Sequence, residues 1–261
     1  MSLRVCVLAS GSAGNCTLVA SATTRILIDA GLSGRETLRR LEAIGVDPST
    51  LSAVCLTHEH ADHRTGLSVL HRRLKVPLYA NAGTVEGVER DNKLAGLTWN
   101  VFTTGSPFEI GDLRIDPFSV AHDSYDPVGF VMSHGSACVG VVSDIGVVTG
   151  LVRERLRRCG LIVIEANHDE EVLKASARPW ALKQRILGRQ GHLSNRQAAE
   201  LVAEIAGNGL RVVFLAHLSA ECNAPHLAER TMRDLLVQSG CADIDIRVTY
   251  PDRPTEMVAV G

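Results

Sequence analysis

The stretch "CLTHEHADHRTG" at residues 55–66 constrains this chain more than any other. It places His58, His60, Asp62 and His63 within six consecutive positions. It continues directly from "AVCLT" (53–57), an apolar run that predicts a buried strand. On an extended segment, residues i and i+2 point to one face, so His58 and His60 can chelate one ion. Asp62 and His63 fall where the chain turns into the next helical pattern, and they point elsewhere. One ion cannot easily take all four groups, whereas two neighbouring ions can.

Two ions need more ligands, and three apolar runs end in suitable residues. His122 ends "RIDPFSVAH", Asp144 ends "ACVGVVSD", and His217 ends "RVVFLAH". Strand ends are where loops converge and functional groups gather. Taken singly, each has a plain reading: a surface histidine, a turn aspartate. Beside the histidine cluster the three read as ligands. The set is nitrogen and carboxylate without thiolate, which suits Zn, with Mn or Fe as alternatives.

The rest of the pattern predicts one domain over residues 1–261. Three short strands at 4–10, 16–21 and 25–31 are followed by a helix at 33–45, where Ser33 and Glu36 form a capping box and Gly45 a stop. Helical patterns follow the histidine cluster and the strand at 77–80; a β-rich middle then leads to alternating strands and helices, ending in a strand at 243–250. The strands form an N-terminal and a C-terminal group with helices after each, an α/β (α+β) chain with two sheets flanked by helices.

Seven cysteines, an odd number without any Cys-x-x-Cys, sit mostly in apolar runs and predict free buried thiols in a reducing compartment. No run approaches the ~20 apolar residues of a membrane span, so no membrane partner and a cytoplasmic location are expected. The net charge of −2 leaves any polyanion reading to local clustering. Residues 172–199 supply a cluster: Lys174, Arg178, Lys183, Arg185, Arg189 and Arg196, no acid, and Trp180. Bases with an aromatic platform suit a nucleic-acid strand, and a solvated helix face is the bland alternative. Lys183 and Arg185 are the expected contacts. In "GHLSN", Ser194 is a plausible N-cap beside His192, and Ser194 and Asn195 offer a phosphate seat. The Gly-rich "SGSAGNC" (10–16) has no P-loop lysine and reads most simply as a tight hairpin, with Ser12 and Asn15 as further substrate contacts.

"THEHADH" followed by His122, Asp144 and His217 resembles the metallo-β-lactamase fold superfamily over essentially the whole chain. That resemblance implies an αββα four-layer sandwich with a dinuclear site. His58, His60 and His122 would hold one ion, Asp62, His63 and His217 the other, and Asp144 would bridge. The main di-zinc β-lactamases carry Cys where Asp144 stands, which argues against antibiotic hydrolysis. "SGSAGN", "AHD…DPVGF", "EANHDEEVL", "GHLSN" and "AHLS" further resemble the YycJ (WalJ) family of metallo-hydrolases, assigned as 5′→3′ DNA exonucleases. The resemblance implies hydrolysis of a phosphodiester by hydroxide between two cations, acting on DNA in preference to RNA, by a monomer or homodimer. Asp62 would also orient the hydroxide. His192 or His168 would assist the leaving oxygen, in an order the residues leave open. Asp29 would fix a ligand histidine through its other ring nitrogen. Two alternatives stand beside this: a small-molecule hydrolase such as a cyclic phosphodiesterase or glyoxalase-type thioesterase, and a nucleic-acid-binding protein with a vestigial site.

Overall fold

A computed structural model describes residues 1–261, the side chain of Asn208 excepted. Among the described residues the strands form two seven-stranded sheets. The first runs β14 (Val258–Val260), β1 (Leu3–Ala9), β2 (Cys16–Ala20), β3 (Arg25–Ile28), β4 (Ala53–Cys55), β5 (Leu78–Asn81) and β6 (Trp99–Phe102). The second runs β13 (Asp245–Val248), β12 (Val212–Ala216), β11 (Leu161–Glu165), β10 (Ala137–Val142), β9 (Val128–His134), β8 (Leu113–Ser119) and β7 (Phe108–Ile110). Each sheet is antiparallel on one side and parallel on the other; β3 to β6 and β10 to β13 are the parallel runs.

Side-chain alternation builds the layers. On β12, Val212, Phe214 and Ala216 enter the core between the sheets, while Val213 and Leu215 enter a second core. Likewise β1 sends Val5 and Val7 inward and Cys6 and Leu8 outward. Strands covered on both faces are apolar at every position, which is why these runs read as continuous rather than alternating. The outer core of the first sheet is closed by α1 (Gly34–Ala43), α3 (Leu67–Leu74) and α4 (Ala82–Glu89), through Leu41, Leu67, Leu70 and Val88. That of the second is closed by α5 (Gly150–Leu156), α8 (Asn195–Ile205) and α9 (Pro225–Gln238), through Leu156, Val202 and Met232. Three buried interfaces between four layers make the expected αββα sandwich.

Several local expectations need adjusting. Ser33 caps α1 by accepting from the Glu36 amide, but the Glu36 carboxylate turns to Arg39 and Arg40, so the cap is one-sided. The chain also continues past the strand at 243–250. β14 crosses back to pair antiparallel with β1, joining the C-terminal segment to the first sheet. A short helix α6 (Glu170–Ala175), capped by Asp169, stands where no helix was expected. All seven thiols are free, six of them buried. Among the described residues no helix is long and apolar enough to cross a membrane.

Candidate metal centre and cleft

The candidate groups gather beyond the C-terminal ends of the parallel strands, where open α/β sheets place their ligands. His58 follows β4, and the short helix α2 (Ala61–Arg64) carries Asp62 and His63. Asp144, His217 and Asp29 follow β10, β12 and β3, and all three adopt left-handed backbone, with φ of 53°, 53° and 63°. That region is costly for residues other than glycine, and such strain collects at functional sites. The turn after each strand swings the side chain back over the sheet edge.

The donor atoms converge in overlapping groups. One donor each from His58, His60 and His122 lie within 4.8 Å of one another, as do those of Asp62, His63 and His217, and of His58, His63 and Asp144. His63 Nε2 stands 3.0 Å from Asp144 Oδ2, and His217 Nε2 stands 3.5 Å from Asp62 Oδ2. The buried Nε2 of His58 has no hydrogen-bond partner. A bare buried lone pair is expensive, and a cation placed at it would relieve that cost. The donor set therefore fits divalent ions of the zinc type.

Two buried carboxylates orient the rings. Asp29 lies 2.8 Å from His63 Nδ1 and accepts from the Thr57 amide and hydroxyl. Thr57 Oγ1 in turn lies 3.0 Å from His58 Nδ1, so Asp29 braces both rings with their Nε2 atoms turned to the centre. Glu165, the last residue of β11 and fully buried, does the same opposite. Its Oε1 lies 2.9 Å from His217 Nδ1 and 2.7 Å from His192 Nδ1, and its Oε2 accepts from the Ile145 amide. His122 is oriented by the Gly191 carbonyl, 3.2 Å from Nδ1.

The electrostatics follow from burial and these partners. Burial pushes His58 well below its ordinary value. Burial also disfavours charge on His63, but Asp29 and Asp144 outweigh it and hold that ring well above the usual range. Burial would raise Glu165, yet the facing His192 and His217 hold it down at about 2. His217 is depressed by burial and raised more strongly by Asp144, Asp62 and Glu165, reaching about 10. His192 follows the same logic: burial lowers it, Glu165 raises it further, and the net shift is upward.

The hairpin at 10–16 is scaffold. Gly14 and Gly31 pack backbone against backbone; a Cβ on Gly31 would stand 1.6 Å from the Asp62 carbonyl oxygen, so only glycine fits there. Asn15, expected at the substrate, is buried and donates 3.3 Å to Asp62 Oδ2, while its Oδ1 accepts from the Gly11 amide. Ser10 Oγ accepts from the His217 amide at 2.7 Å. Ser12 remains exposed and lines a cleft of about 200 Å³ with Asp123, Asn167, Arg178, Arg185, Gly191, His192 and Ser219.

The basic segment behaves differently from its charge count. Lys183 is buried, and its ammonium donates to the Lys174 and Ser176 carbonyls at 2.6 and 2.7 Å, which closes a turn with two of its three donors. Ser194 caps α8 in a full capping box with Gln197, and its hydroxyl donates to Glu170. Asn195 is buried against Asn223. All three were expected at the substrate, and each is buried with hydrogen bonds to the protein itself. Acids neutralise others: Glu171, one residue before the segment, pairs with Lys174, and two acids distant in sequence pair with arginines, Glu221 with Arg178 and Asp123 with Arg185. Arg178 and Arg185 still face the cleft. His168 is buried, both its ring nitrogens lack a partner, and it is not among the cleft residues, unlike His192.

Residues 24–218 match the family described as "Beta-lactamase superfamily domain". The chain is 35% identical to "Exodeoxyribonuclease WalJ" of Streptococcus pneumoniae serotype 2, over 97% of both chains. It is 32% identical to "Exodeoxyribonuclease YycJ" of Bacillus anthracis, over 98% of this chain and 99% of that one. The chain belongs to the beta-lactamase superfamily, in the branch of WalJ and YycJ. Membership in that branch, with the histidine and carboxylate cluster, makes the chain a metal-dependent hydrolase. Among solved structures of this superfamily fold, the metallo-beta-lactamase fold protein YhfI from Bacillus subtilis superposes with a TM-score of 0.75. It is 17% identical, over 97% of this chain and 98% of that one.

Proposed function

We propose that this chain is an exonuclease that removes nucleotides from the 5′ end of DNA with two divalent ions, Zn by the chemistry of the donors. One ion would sit among His58, His60 and His122, the second among Asp62, His63 and His217, with Asp144 reaching both. Ions so held would act as Lewis acids on a phosphoryl oxygen and make a water acidic near neutral pH. Asp62, partly exposed between Asn15 and His217, orients the attacking water by accepting its proton. Arg178 and Arg185 at the cleft hold the phosphates of the entering strand and release their protein carboxylates to do so. His192 gives a proton to the leaving sugar oxygen. Its affinity for a proton is raised by Glu165, which favours the charged ring, and it lies on the cleft, as His168 does not.

The observation that carries this reading is the cleft itself, where two arginines and a Glu165-backed histidine open beside the donor cluster. It is joined to near-full-length similarity with proteins named exodeoxyribonucleases. The test is a product ladder from end-labelled single- and double-stranded DNA and RNA, with Zn and Mn compared, beside bis(p-nitrophenyl) phosphate and a thioester. Mononucleotides released from the 5′ end of DNA are the expected result. Internal cuts, or turnover of the small esters alone, would overturn it.

A further inference from the structure

Tyr125 stands on the short loop between His122 and β9, three residues beyond a proposed ligand. It is 46% exposed and belongs to none of the buried cores. The loop beneath it is held from every side. The Tyr125 amide donates to Glu59 Oε1, and Glu59 lies between His58 and His60. Asp123 takes Arg185, and Asp126 accepts from Asn81 through its carbonyl and from Thr104 through its carboxylate. Helix α4 lies so close that a Cβ on Gly83 would meet Asp126 Cβ at 2.8 Å, and one on Gly87 would meet Glu59 Cγ at 2.5 Å.

The backbone of residue 125 is thus fixed to the segment of His58 and His60 while its side chain enters none of the apolar cores. An exposed ring on a mobile loop would be unremarkable; one held rigid beside the donor cluster is a preorganised surface. The guanidinium of Arg90 sits 4.7 Å from the ring centroid and is itself anchored by Glu86. A cation behind an aromatic ring supports it and leaves the other face to a flat, polarisable partner. Every nucleobase is such a partner, whatever its sequence.

We propose that Tyr125, backed by Arg90, is the platform on which one nucleobase of the substrate strand stacks beside the ion held by His58, His60 and His122. This rests on the nuclease reading and adds a base contact to the phosphate contacts of Arg178 and Arg185. It assigns the stacking to Tyr125, whose backbone is tied to the segment carrying His58 and His60, and not to Trp180, which is 65% exposed on α7 (Trp180–Leu187).

The test compares wild type, Tyr125→Ala and Tyr125→Phe on single-stranded oligonucleotides that are intact or carry one abasic position, moved stepwise from the 5′ end. For wild type, one abasic position raises KM by roughly tenfold, the scale of one lost base stack. In Tyr125→Ala the intact oligonucleotide shows that same rise, the penalty of that abasic position disappears, and kcat moves less than KM. Tyr125→Phe, which keeps the ring, restores both. A merely structural role would instead lower kcat and leave the abasic penalty in place, and that result overturns the proposal. So does an unchanged KM in Tyr125→Ala with the penalty retained. Failure of the nuclease reading has its own signature, wild-type protein that leaves every oligonucleotide intact, and it removes both.

Discussion

The two walls of the metal centre are built alike and used differently. In each, one buried carboxylate braces two histidine rings: Asp29 holds His63 directly and His58 through Thr57, and Glu165 holds His217 and His192. On the N-terminal wall both braced rings are buried and both point at the donor cluster. On the opposite wall the pair divides. His217 is buried, whereas the His192 side chain is 22% exposed and lines the cleft. On the proposed reading one wall would only hold ions, and the other would tie ion holding to the group at the cleft.

The largest effect should fall on both walls equally. His60→Ala and Asp144→Ala each abolish hydrolysis, measured on bis(p-nitrophenyl) phosphate and on DNA; retained activity in either would break the symmetry of the pair. Next comes His192→Ala, expected to keep its metal by elemental analysis and to lose about 10²–10⁴ in kcat. Because the pKa of His192 is raised, the proton is on the ring below that value and lost above it, so wild-type activity falls on the alkaline side. The alanine variant should lack that limb, and loss of metal would refute the assigned role.

The two carboxylates come third. Asp29→Asn should weaken metal retention about 10–100-fold in chelator competition, with turnover restored by excess metal. Glu165→Gln should cost a similar factor in retention but also move the alkaline limb to lower pH, since the charge that raises His192 is gone. Identical behaviour of the two variants would collapse the distinction between the walls. The smallest effects lie in the basic segment. Arg185→Gln should reduce the salt slope of DNA binding by about one. Lys183→Met should leave that slope alone and cost about 1–3 kcal/mol of stability, because two carbonyls lose their donor.

The same contrast marks what could be read from residues in order. The N-terminal wall was legible because its ligand types stand together in a pattern that an extended segment turns to one face. His122, Asp144 and His217 were legible only as ends of apolar strands. Glu165 had a weaker sign, an acid closing the wholly apolar run "LIVI", and nothing local says that two rings will meet it. In 172–199 a count of charges along the chain misled, since Glu171 stands one residue before the segment and Asp123 and Glu221 reach it only in the fold. Ser194 was correctly read as a cap, and a serine that caps a buried helix start has little left for a ligand. Strand β14 spans three residues, too short for any periodicity to show.

The left-handed backbone at Asp29, Asp144 and His217 carries a consequence for anyone breeding a hardier version of this protein. Each position charges the folded state about 1 kcal/mol that glycine would return. A screen that rewards heat resistance alone would therefore be drawn to these three sites first, and every success there would discard a part of the candidate centre. Selection for survival and selection for work pull this molecule in opposite directions at the same three residues.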